Sequence, residues 1–161
     1  MKTQENISFE KVSLVSGILI CIVYIAYFLF MIYANLIRIT ELRAFNFLIL
    51  LGGLFFTFKY FRSKSKVHID YLKGISLGIL TSAVSIVLFA LFIYIYFSEI
   101  DPLLLQQLKN NAPLMGQYLT PFSAAFTIIV EGSISGLILS FAIMQYYKND
   151  PGYAKQKLNA E

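Results

Sequence analysis

Charge is what this chain has least of. Charged residues make up 14% of the sequence and hydrophobic residues 58%, whereas a soluble domain carries about 25% charged residues. The few charges are clustered between long uncharged runs, leaving too little polar surface to cover a water-soluble fold. Cysteine is nearly absent too: Cys21 has no second cysteine to pair with, which excludes an intrachain disulfide framework. The one histidine, His68, has neither cysteine nor another histidine beside it, which argues against a zinc site. No His-Glu-x-x-His, Gly-x-Ser-x-Gly or phosphate-cradling glycine loop occurs, so neither an enzyme nor a cofactor is expected.

What is present is a set of four long apolar stretches, at about 12–34, 44–61, 74–98 and 122–147. A helix needs roughly 20 apolar residues to cross the hydrocarbon core. The runs are continuous, not alternating with period two, which argues against a β-barrel. Lys59 lies near the end of the second and shortest run, where its stem lets the ammonium reach the headgroups. The first run is longer than the 7–15 residues of a cleaved leader, so a retained helix is expected. The fold class is therefore all-α, an integral membrane bundle of four antiparallel transmembrane helices in one domain.

Positive charge sets the expected orientation. With both termini inside, the inner segments hold Lys2, Lys11, Lys59, Arg62, Lys64, Lys66, Lys73, Lys148, Lys155 and Lys157, and the outer loops only Arg38, Arg43 and Lys109. A bacterial inner membrane with both termini cytoplasmic is the expectation. Tyr33, Tyr94, Tyr96 and Tyr118 would mark the outer interface, and Tyr60, Tyr71, Tyr146 and Tyr147 the inner one. Asp70 is placed to cap the third helix. In the outer loop, 99–121, Asp101-Pro102 reads as a helix start, with Leu103, Leu104, Leu105 and Leu108 forming an apolar side that lies on the membrane or caps the bundle. No internal repeat suggests the inverted halves of a transporter.

Glu131, about 5 Å from the middle of the fourth run, is the most informative residue. A charge near the bilayer centre costs about 2.5–3.5 kcal/mol, so the carboxyl is expected to face the bundle and hold its proton. Thr127 and Ser135 share its face. By depth, Tyr27, Tyr24 and Asn46 are its candidate hydrogen-bond partners. Gly132 and Gly136 form a GxxxG beside it, and Gly74, Gly78, Ser82 and Ser85 share a face on the third helix. Gly17 lies between Ser13 and Cys21 on the first, and Gly52-Gly53 interrupts the second. Small residues at these spacings point to close helix packing. A proton or cation site at Glu131 is the functional alternative, although proton pathways normally show a chain of acids or histidines.

Lys59, Arg62, Lys64, Lys66 and Lys73 form a basic inner segment suited to anionic lipid. The cluster is short and hugs the membrane, which argues against nucleic acid. The stretches Lys59-Tyr60-Phe61-Arg62, His68-Ile69-Asp70-Tyr71-Leu72-Lys73-Gly74 and Glu131-Gly132-Ser133 resemble a family of small bacterial four-helix membrane proteins defined as a domain of unknown function. The resemblance runs from the second helix through the fourth, with a shorter outer loop here, and implies the architecture alone. The expected role is non-enzymatic: an accessory or scaffold subunit in the bilayer, with a membrane-protein partner or a second copy. A small transporter or channel-like protein using Glu131 is the alternative.

Overall fold

Inside a bilayer every backbone N–H and C=O must find its partner within the chain, so uncharged runs of this length fold as helices. The computed structural model describes residues 9–34, 45–64, 71–111 and 116–148. The elements are α1 (Phe9–Tyr33), α2 (Phe45–Lys64), α3 (Tyr71–Ile95), α4 (Pro102–Asn111) and α5 (Pro121–Lys148). Helices α1, α2, α3 and α5 are long and apolar enough to cross a membrane, and the protein is a multi-pass membrane bundle. Asp70, His68 and Lys66 lie outside the described residues.

Local chemistry explains where the elements start. The backbone N–H of Leu104 donates to Asp101 Oδ1 at 2.9 Å, which caps α4 and leaves Pro102 at its first position. Thr120 and Ser123 make a reciprocal box before α5. The Ser123 N–H donates to Thr120 Oγ1 at 3.0 Å, and the Thr120 N–H to Ser123 Oγ at 2.8 Å; Pro121 fills the first turn. At its far end α3 widens into a π-helical turn, Tyr96–Ile100. Leu104 and Leu105 of α4 enter the core, while Leu103 is 70% exposed. The short helix therefore caps the bundle through two leucines. Tyr96 is buried, its ring edge-on to Phe28 at 5.2 Å, within an aromatic cluster that includes Phe89, Phe92 and Phe97.

Two packing modes build the bundle. Helices α3 and α5 run antiparallel and meet along small residues. A methyl group built on Gly136 would lie 2.5 Å from Ser82 Oγ, and one on Gly132 would lie 2.7 Å from Ile86 Cγ1. Gly78 abuts Ser140 and Gly74 abuts Met144 in the same way. Each step of four along α3 is matched by a step of four back along α5, and every step pairs one glycine with one larger side chain. Both helices thus carry a single pattern, Gly-x3-Gly-x3-Ser followed four residues later by Ile86 or Met144, and the two copies pack head to tail. Sequence reading found the glycines on each helix but not this short inverted repeat, because only the spaced positions match. The seam hydroxyls are satisfied within their own helices: Ser140 donates to Gly136 O at 2.6 Å and Ser82 to Ile79 O at 2.9 Å. Gly17 brings α1 to α3, lying where a methyl would meet Val84 Cβ at 2.8 Å.

Helix α2 is held differently. One row of large residues, Leu50, Leu54 and Phe58, is at most 2% exposed, and the rest of the helix is largely open. Gly53 meets Ile20 of α1, but a methyl on Gly52 would have nothing within 4 Å. Among the described residues Gly52 is therefore not a packing glycine, contrary to the expectation from its position beside Gly53.

Candidate functional site

All four membrane helices converge on a cavity of about 50 Å³, roomy enough for a water molecule or two. Tyr24 of α1, Asn46 of α2, and Glu131 and Ser135 of α5 supply its polar lining, with Leu50, Ile86 and Phe89 among the apolar walls. Tyr24 is the best fixed of these. It is 5% exposed, its ring stacks on Phe89 at 5.0 Å, and its hydroxyl donates to the backbone carbonyl of Asn46 at 3.2 Å. That bond ties α1 to the start of α2 beside the carboxyl.

Glu131 is at the rim of this cavity and is exposed, whereas the sequence suggests a carboxyl turned into the bundle. Helical geometry gives the reason. Consecutive residues lie about 100° apart around the axis, and the α3-facing stripe is taken by Gly132, Gly136 and Ser140. Residue 131 is thereby turned off the α3 contact, toward the gap beside α1 and α2 and the outer surface of α5. Ser135, one turn on, lines the same cavity. Thr127 is exposed and its hydroxyl donates to Ser123 O at 2.8 Å, so it does not line the cavity. Tyr27 does not line it either; its ring stacks on Phe45 at 6.2 Å. Of the six residues proposed from depth and spacing, the cavity joins four: Tyr24, Asn46, Glu131 and Ser135. Phe89, which sets the Tyr24 ring, carries no signal in the sequence that separates it from neighbouring apolar residues.

The five packing glycines fall on two contacts. Gly74, Gly78, Gly132 and Gly136 form the α3–α5 seam, and Gly17 lies on the α1–α3 contact. The GxxxG beside Glu131 is thus consumed within the chain. Substituting Gly136 would damage the fold itself and would say nothing about assembly.

At the opposite end of α2, Lys59, Arg62 and Ser63 line a recess with Phe55, Tyr146 and Tyr147. The Arg62 guanidinium lies over the Tyr147 ring, 5.4 Å from its centroid, a cation–π arrangement that holds it beside the bundle. Lys73 is exposed at the start of α3. Lys64 closes α2, and Lys66 is outside the described residues. The arrangement offers cations and aromatic rings at one depth, suited to lipid phosphate.

No family model, curated protein or solved structure matches the chain.

Proposed function

We propose that this protein is a non-enzymatic accessory or scaffold subunit that acts through helix contacts inside a bacterial inner membrane, with both termini cytoplasmic. The observation that carries this reading is the exposed Glu131 on α5. Thr127, Ile134 and Ile138 lie on the same open side of that helix, and only 22% of its membrane window is buried. An ionisable side chain at this depth normally faces protein or water, not lipid. A partner helix, from another protein or a second copy, would cover the rim of the cavity and keep lipid from the carboxyl. The basic residues at one end favour the cytoplasmic orientation, which fusion reporters at the two termini would test.

The deciding measurement is the composition of the complex after gentle extraction at native expression level. A reproducible second protein or second copy that is lost in Glu131→Gln, with helicity unchanged, supports this reading. A single chain extracted alone, in both wild type and variant, removes it. The polar cavity beside Glu131 favours one other reading, a small transporter or channel in which the carboxyl binds a proton or cation. That reading expects Glu131→Gln to abolish flux in vesicles while the protein stays folded, and equal flux would eliminate it.

A further inference from the structure

A second recess is larger than the cavity at Glu131. It is a groove of about 740 Å³ between α1 and α2, within the about 300–1,000 Å³ of ordinary ligand sites. Its walls are apolar, formed by residues such as Val15, Leu19 and Phe56, and its floor includes Gly52. Lys11 and Tyr60 stand at one end. We propose that this groove binds one acyl chain of an anionic glycerophospholipid, with the lipid phosphate at Lys11 and Tyr60.

Length identifies the occupant. From Lys11 to Val23 the groove follows α1 for about 18 Å at 1.5 Å rise per residue. One leaflet is half of the ~30 Å hydrocarbon core, so the groove is one acyl chain long. A transmembrane partner helix would need a groove running through both leaflets, and this one stops at Val23 and Leu48. Beyond Val23 the two helices are tied together by the Tyr24 hydroxyl on the Asn46 carbonyl and by the Tyr27–Phe45 stack. Charge agrees with length. The open end carries an ammonium at headgroup depth, and a tyrosine hydroxyl beside it can donate to phosphate. Gly52 supplies a further sign: among the described residues, it is the helical glycine whose missing side chain leaves space that no neighbouring atom fills.

The test is native mass spectrometry of the full-length protein in mild detergent, titrated with dioleoyl phosphatidylglycerol or dioleoyl phosphatidylcholine. Wild type should retain one phosphatidylglycerol in preference. Gly52→Phe should weaken retention of both lipids about tenfold, since losing even two buried methylenes is enough for that. Lys11→Gln should lower the preference for phosphatidylglycerol about fivefold and leave phosphatidylcholine unchanged. Val87→Phe, the same bulk on an exposed face of α3, should change neither. Circular dichroism and a single elution peak report folding. If Gly52→Phe does not fold, the Lys11→Gln ratio decides alone, and an unchanged ratio overturns the proposal. Unaltered lipid retention in both variants overturns it as well. So does release of a co-purified protein by Gly52→Phe with lipid binding intact, which would make the groove a protein-docking face. The partner assay with Glu131→Gln concerns another surface, so either proposal can fail without the other.

Discussion

The α3–α5 seam and the α1–α2 pair are built from the same kinds of residue and end in opposite conditions. Along the seam, small residues let two backbones close on each other, and each glycine is filled by a side chain from across the contact. Between α1 and α2, Gly53 is filled by Ile20 while Gly52 next to it opens on a groove. Helix α2 is anchored by Leu50, Leu54 and Phe58, and recesses lie on both of its flanks. Glycine spacing therefore indicates that something approaches closely. It does not say whether the approaching group belongs to the same chain.

That contrast can be broken most sharply at Gly78. A side chain there would meet both Ser140 and Phe58, so Gly78→Leu is expected to cost about 3 kcal/mol or to prevent folding, read from unfolding in mixed detergent. Leu54→Ala should follow at about 2–3 kcal/mol, because a fully buried leucine leaves a cavity; a loss under about 1 kcal/mol would mean that α2 is not held by that row. Thr81 tests the seam's edge. Its hydroxyl is buried with no hydrogen-bond partner among the described residues, and Thr81→Val should leave stability unchanged or raise it by about 1 kcal/mol. Unfolding at markedly lower detergent stress would instead reveal a bond to that hydroxyl. The smallest effect is expected at Gly52→Ala, a gain of at most about 1 kcal/mol from helix propensity. A clear loss at Gly52 would erase the distinction between the two regions.

Much of the architecture was legible because the bilayer restricts the choices. The spans read as 12–34, 44–61, 74–98 and 122–147 match the helices to within three residues at each end, the third continuing through the π-helical turn. Snorkelling and capping residues extend helices past their apolar runs, as Ser63 and Lys64 do at the end of α2. The Asp101-Pro102 start was readable because capping is local chemistry. The candidate site was legible only in part. Counting along the helices put Tyr27 at the level of Glu131, Tyr24 just inward and Asn46 further out, whereas the cavity joins Glu131 to Tyr24 and Asn46. Rotation about the axis does not follow from counting, so Tyr27 and Thr127 looked equivalent to residues that line the cavity. Tyr96 shows the same limit: its place at the end of α3 follows from counting, but its burial by phenylalanines of α1 and of its own helix does not.

By itself the sequence determined that this chain is helical, that it crosses the membrane four times, and where its helices begin and end within a few residues. Those properties depend on hydrophobic length, charge and capping, which act along the chain. Only the tertiary structure decided which glycines are filled, that the GxxxG beside Glu131 faces α3 and turns the carboxyl outward, and that α1 and α2 part to leave a groove one leaflet long. In a bilayer, apolar side chains face lipid and protein with similar ease, so hydrophobicity does not set the rotation of a helix. Shape complementarity between particular side chains does, and that exists only once the helices have met.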